Sequence, residues 1–289
     1  MTSATPCPIC AGAGAPLYHG GEHRVYRCET CALAFVSPLP SDAALAEFYS
    51  NYHRGLDEGG VYALTEARMD ADFPAKIAKV LAHVAAPAPR LLDVGCGKGY
   101  FVKACADRGI AAEGVDLSDT AIAHATGTLG VKAHCGRLED LADTLGTFDV
   151  VTFWATIEHV PDPLATLRGI GRVLAPGGLL LLDTGIANDW LERLLPGVTQ
   201  WYDPPEHLYV FSREAMTRTL AAAGFDVIDF DGNFERSTAR LAARTLRGFV
   251  AAAGLRIAAE IGRCTGTPEN FNAIRFPLGN LMSVVARKL

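Results

Sequence analysis

Arg90-Leu91-Leu92-Asp93-Val94 runs without a break into Gly95-Cys96-Gly97-Lys98-Gly99, and a helical stretch starts at Tyr100. No other segment limits the possible folds as tightly. A short buried strand, a glycine turn and a helix bring backbone N–H groups and the positive end of the helix to one point. Open α/β sheets hold ligands there, outside the carboxyl ends of their strands. Glycine at three of the five turn positions permits left-handed backbone and removes side chains that would block a close approach. The third glycine comes one residue too early for the dinucleotide G-x-G-x-x-G spacing. An acid, Asp93, stands two residues before the first glycine.

Around this turn the chain alternates helical and short apolar runs. Ile77, Val80, Leu81 and Val84 fall at helical spacing, stopped by Pro87 and Pro89, and a helix is expected over 100–108, ended by Gly109. Glu113-Gly114-Val115-Asp116-Leu117-Ser118 reads as a second strand ending in an acid. Further strands are expected over 131–135, 148–154, 179–182, 225–230 and 282–287. The alternation predicts an α/β fold with a doubly wound sheet.

Asp93-Val94-Gly95-Cys96-Gly97-Lys98-Gly99 resembles the D/E-x-G-x-G-x-G motif of class I S-adenosylmethionine (SAM)-dependent methyltransferases. The resemblance covers roughly 91–230. It includes Glu158-His159-Val160-Pro161-Asp162-Pro163 behind the fourth strand and the turn Leu174-Ala175-Pro176-Gly177-Gly178 before the fifth. It implies a seven-stranded Rossmann-like sheet whose last strand inserts antiparallel beside the sixth. It also implies that Gly95, Cys96, Gly97 and Gly99 hold the methionine part of SAM, with Asp93 contacting it. Asp116 would accept from the ribose hydroxyls and Leu117 would pack on the adenine face. Leu138 and Glu139 would lie at the adenine edge, where this chain carries Arg137 at the position of the family's usual acid. Trp154 and Ala155 would line the pocket. His159 either touches substrate or packs and caps.

Four of the eight cysteines crowd into the first 31 residues as Cys7-Pro8-Ile9-Cys10 and Cys28-Glu29-Thr30-Cys31, with 17 residues between the pairs. Paired C-x-x-C knuckles at hairpin tips offer a tetrahedral zinc ion four thiolates. The expected module is a zinc ribbon over 1–40, with strand character at Val25-Tyr26 and at Leu33-Ala34-Phe35-Val36. Two disulfides are the alternative, and the absence of a secretory signal argues against them. Four thiolates leave no open coordination position, so the metal is expected to be structural. It would hold the N-terminal segment over the catalytic domain or dock a partner. A connector, 41–74, leads to the catalytic domain, 75–289.

The segment 184–212 reads as a substrate lid. It carries Trp190, Leu191, Leu194, Leu195, Trp201, Tyr202, Glu206, His207 and Tyr209. Within it, Tyr202-Asp203-Pro204-Pro205-Glu206-His207-Leu208 resembles the Tyr-x-Glu-His segment of zinc-containing sugar C-methyltransferases, two residues longer here and without that family's large extra C-terminal domain. The resemblance implies that Tyr202, Glu206 and His207 handle protons. Histidine suits removal of a proton from an oxygen or carbon nucleophile near neutral pH. The alternative is that Glu206 and His207 pin the lid. Ser212 is expected to cap the next helix. An insert, 234–280, carries Arg236, Arg240, Arg244 and Arg247 at helical spacing. It is either a solvated helix face or a contact for phosphate or a membrane surface.

A net charge of −6 and a pI near 5.8 argue against a nucleic-acid binder that works by bulk electrostatics. An RNA methyltransferase and a non-enzymatic SAM-fold module remain the competing readings. No run is long and apolar enough to span a membrane, and the expected compartment is the cytoplasm. The expected function is transfer of a methyl group from SAM to an oxygen or carbon of a small biosynthetic intermediate. The acceptor and the oligomeric state stay open.

Overall fold

The computed structural model describes residues 5–20, 23–45, 47–48, 61–84, 86, 88–187, 201, 204–233 and 281–289, with backbone only at 18–20, 61–71 and 232–233. The chain divides into two compact units. One comprises 1–39, 185–216 and 231–282; the other comprises 40–184, 217–230 and 283–289. Tyr202, most of the expected lid before Pro204, and the insert with its four arginines lie outside the described residues.

The larger unit is built on a seven-stranded sheet. Its elements, in chain order, are α1 (Val61–His83), β5 (Arg90–Val94), α2 (Tyr100–Ala106), β6 (Ala111–Asp116), α3 (Asp119–Gly127), β7 (Lys132–Cys135), α4 (Leu138–Leu145), β8 (Phe148–Trp154), α5 (Pro163–Val173) and β9 (Leu174–Gly185). After these come α6 (Arg213–Ala222), β11 (Phe225–Asn233) and β12 (Leu281–Lys288), of which 213–216, 231–233 and 281–282 belong to the smaller unit. The strand order is β11-β12-β9-β8-β5-β6-β7, with parallel pairing from β9 through β8, β5 and β6 to β7. The last strand enters beside β11, as the family pattern implies. Successive connections run outward from β5 to β7 and then return to β8. The order therefore reverses between β5 and β8, and such a switch point opens a crevice at the carboxyl ends of those strands.

Strand cores are apolar on both faces because helices cover both. Leu91, Leu92, Val150, Val151, Leu180, Leu181 and Leu182 are all buried. Helix α1 lays Phe73, Ile77 and Val80 on Leu91, Val150, Leu179 and Leu181. It begins well before the expected start of the helix and replaces Leu81, which is 47% exposed, with Phe73 on the packed stripe. Ser118 caps α3 by accepting from the Ala121 amide at 3.2 Å, and Asp162 caps α5 with Pro163 behind it. The turn expected at 174–178 differs: β9 already starts at Leu174, paired with Phe148, and absorbs Gly177 through a register shift.

The smaller unit carries a five-stranded sheet in the order β1-β2-β3-β4-β10: β1 (Thr5–Pro6), β2 (Ala13–Gly20), β3 (His23–Cys28), β4 (Ala34–Ser37) and β10 (Tyr209–Val210). The two strands read from sequence between and after the cysteine pairs are β3 and β4. The fifth strand comes from the segment read as lid, with Tyr209 opposite Phe35 and Val210 opposite Ala34. Val25, Ala34, Val36, Ala187 and Val210 form its core, with Leu17 and Trp201 against it.

Candidate active site

The glycine turn follows β5 at the switch point. Gly95, Gly97 and Gly99 have φ of 73°, 51° and 84°, a region that side chains disfavour. A Cβ on Gly95 would meet the Thr156 hydroxyl at 2.5 Å and one on Gly99 would meet Ala125 Cβ at 2.7 Å, whereas Gly97 faces open space. The turn is held from below by β6. Gly95 N and Cys96 N donate to Val115 O at 2.8 and 3.1 Å, and Gly97 N donates to Asp116 Oδ2 at 2.8 Å. The other Asp116 oxygen accepts from Ser118 N at 2.9 Å. The structure thus brings the loop and Asp116 together. Leu117 beside them is 61% exposed, an apolar side chain left uncovered at the crevice rim. Cys96 turns inward instead, packing with Val102, Ile122, Ala125 and Val131, so only its backbone faces the turn. Burial pushes its thiol far up.

Asp93 is 3% exposed and its Oδ1 accepts from Thr152 Oγ1 at 2.6 Å. Burial pushes its carboxyl up to about 7; Thr152 and Lys76 oppose this, and Asp116 and Asp183 reinforce it. Glu158, in the stretch behind β8, is likewise buried and pushed up to about 8, with Asp183 adding to the effect. Both acids are buried on the larger unit, Asp93 near the end of β5 and Glu158 in the turn after β8.

Trp154 is buried at the end of β8, and its indole Nε1 has no hydrogen-bond partner among the described residues. Ala155 follows with φ 44°, held by donation of its N–H to Asp183 Oδ1 at 2.8 Å. Sequence reading missed Lys76 and Asp183. Lys76 Nζ lies 3.0 Å from Asp183 Oδ2 and 4.6 Å from the Trp154 ring centroid, so one ammonium serves an acid and an aromatic face. The detectable signal was a lysine one position before Ile77 on the packed stripe. The Glu139 carboxylate accepts from Thr166 on α5. Leu138 is buried at the start of α4.

In the smaller unit Cys7, Cys10, Cys28 and Cys31 are free thiols whose Sγ atoms all lie within 4.8 Å of one another. Measured pairs are 3.8 Å for Cys7 and Cys31, 3.4 Å for Cys10 and Cys28, and 3.5 Å for Cys10 and Cys31. Metal–sulfur bonds of about 2.3 Å in a tetrahedron set sulfurs roughly 3.8 Å apart, so the set fits a zinc ion. The two knuckles are built alike. Ala11 and Ala32 take φ of 58° and 56°, and their amides donate to Cys7 O and Cys28 O, each at 2.9 Å. Burial would raise the Cys28 thiol, yet N–H donation from Cys31 and Thr30 brings it down to about 7.

Glu206 and His207 precede β10 and are half-buried, and the His207 ring stands edge-on to Trp201 at 5.7 Å. Leu208 is fully buried, and its carbonyl accepts from Val36 N at 2.9 Å.

Residues 66–229 match the family described as a methyltransferase domain. The chain is 32% identical over 234 residues to a ubiquinone biosynthesis O-methyltransferase of Xanthomonas campestris pv. campestris, covering 71% of this chain and 95% of that protein. Among solved structures it resembles magnesium protoporphyrin IX methyltransferase from Synechocystis PCC 6803, which holds SAH. The TM-score is 0.54 at 14% identity, over 86% of this chain and 97% of that one. A methyltransferase from Bacillus halodurans superposes with a TM-score of 0.52 at 19% identity, over 74% of this chain and 99% of its own. The chain therefore belongs to the class I SAM-dependent methyltransferases and is a methyl-transferring enzyme with a Rossmann-like seven-stranded fold.

Proposed function

We propose that this enzyme methylates an oxygen or carbon of a small biosynthetic intermediate in the cytoplasm, with His207 as general base and Glu206 as its partner. The reading rests foremost on the crevice at the switch point, where a buried, water-stripped Asp93 meets a glycine turn tied to Asp116. Gly95, Gly97 and Gly99 with Asp93 would hold the aminoacyl end of SAM, joined by the backbone of Cys96. Asp116 would hold its ribose and Leu117 its adenine, with Leu138 and Glu139 at the adenine edge. Trp154 and Ala155 would close the pocket wall. SAM supplies an electrophilic methyl group on sulfur, and direct displacement asks the protein mainly for alignment. His207 would take the acceptor's proton as the nucleophile attacks, and Tyr202 completes the proton-handling set.

The acceptor class follows from the relatives, named as O-methyltransferases of ubiquinone biosynthesis, and from the acidic charge balance, which disfavours RNA. The fit of four sulfurs to a tetrahedron supports a structural zinc at Cys7, Cys10, Cys28 and Cys31. On this reading 1–40 is a zinc ribbon, 75–289 the catalytic domain and 184–212 the acceptor lid.

The test is to incubate the protein with methyl-labelled SAM and panels of phenols, sugar nucleotides and total RNA. Label in the small-molecule fraction is expected; label confined to RNA overturns the reading. His207→Ala should keep SAM affinity within about twofold by calorimetry while turnover falls on the order of 100-fold or more. Unchanged turnover removes His207 from the chemistry.

A further inference from the structure

β10 has two residues, too few to hold itself in place by ladder bonds alone. Its placement depends on what flanks it. On one side Leu208, Tyr209, Val210 and Phe211 form an unbroken buried stretch reaching back to His207. On the other side stands Ser212, 4% exposed, whose hydroxyl is used twice. Its Oγ donates to Cys31 O at 2.5 Å and accepts from Ala215 N at 3.0 Å, capping α6. Cys31 is itself fully buried, and the turn after it is fixed by Ala32 N donating to Cys28 O. One hydroxyl therefore joins the peptide of a candidate metal-ligand cysteine, a helix start and the strand that His207 precedes by two residues. The β4–β10 register supplies the second link to the same knuckle, because β4 leaves it only three residues after Cys31.

We propose that Ser212 is a positioning residue that makes the placement of His207 depend on occupancy of the four-cysteine site. Metal–thiolate bonds fix the Cys31 peptide. The Cys31 carbonyl fixes Ser212, and the stiff, buried stretch from Ser212 to Leu208 sets where His207 stands. The proposal rests on reading His207 as the proton-handling residue, but its test reads position rather than turnover. A failure of either idea is therefore seen separately. Coupling must be reciprocal: if metal steadies Ser212, then Ser212 steadies the metal.

The full chain, zinc-loaded and carrying ¹³C-labelled histidine, is compared before and after treatment with a strong chelator, alongside zinc-loaded Ser212→Ala and Ser212→Thr. Two quantities are read: the His207 ring signal, assigned through His207→Gln, and hydrogen exchange of the amides at 208–210. Chelation is expected to move the ring signal and speed exchange at least tenfold while SAM affinity holds within twofold. Ser212→Ala should reproduce most of both changes with zinc present, and should weaken zinc retention in a chelator competition severalfold. Ser212→Thr, which keeps the hydroxyl, should restore them. The proposal is overturned if ring signal and exchange are unchanged by chelation, or unchanged in Ser212→Ala. If the metal-free chain loses SAM binding altogether, the zinc-loaded Ser212→Ala arm decides alone.

Discussion

Asp93 and Glu113 sit on adjacent central strands, Asp93 opposite Gly114 and Glu113 opposite Leu92, so their side chains leave opposite faces of the sheet. Both are buried, yet they are treated in opposite ways. Glu113 is met by Lys132 at 2.8 Å and by His134 and Arg90 at 3.1 Å each. Although burial favours protonation, these donors hold its carboxyl below the ordinary range. Asp93 has one hydroxyl donor and acidic neighbours, and stays protonated up to about neutrality. Within one pleat the fold satisfies one buried acid fully and leaves the other with a single hydroxyl donor. Glu113 is finished by folding, whereas on the function proposed above Asp93 would meet the charged end of the methyl donor.

The largest effect that tests this contrast is on stability against pH. The Asp93 carboxyl is raised in the folded chain, so between about pH 4 and 7 the folded state binds a proton that the unfolded state has released. Stability should fall as pH rises through that window, by on the order of 4 kcal/mol, and level off above it. Glu158 acts in the same direction up to about pH 8. Asp93→Asn should flatten the Asp93 share in denaturant titrations of the ligand-free protein. A slope indistinguishable from wild type would mean that Asp93 is already ionised and balanced. Next in size, Asp93→Asn should weaken SAM binding about 100-fold by calorimetry, as loss of a charge-assisted contact does. Glu113→Gln should leave SAM affinity within twofold; equal losses in the two variants would erase the contrast. Smallest, Glu113→Gln should cost about 1 kcal/mol of stability at pH 7, since Arg90 and Lys132 are nearly half or more exposed and water screens them. That cost should vanish toward pH 3, because the lowered carboxyl contributes only while ionised.

Local signals carried far along the parallel sheet. Each strand from β5 to β8 is short and has a helix after it, β5 and β8 are apolar runs, and the glycine turn marks the switch point without reference to anything distant. The cysteine spacing likewise announced its knuckles. What sequence concealed was set by partners far along the chain. β10 is two residues long and is a strand only because β4, some 170 positions earlier, offers it an edge. Its flanking aromatics read equally well as a lid. Lys76 was hidden for another reason. A lysine on an amphipathic helix is ordinarily solvated, and only the three-dimensional approach of Asp183 and Trp154 gives it a place at the crevice. Ala155 adopts positive φ with no glycine to flag it, because Asp183 holds its N–H in place.

The bond from Gly97 N to the Asp116 carboxylate, with the Val115 carbonyl accepting from the two preceding amides, has an outcome for how this enzyme tolerates change. The shape of the turn is borrowed from the neighbouring strand as much as dictated by its own glycines. A residue inserted between 94 and 97 would pull one or more of these three amides out of register with β6. On the function proposed above, a change of acceptor would have to leave this corner alone.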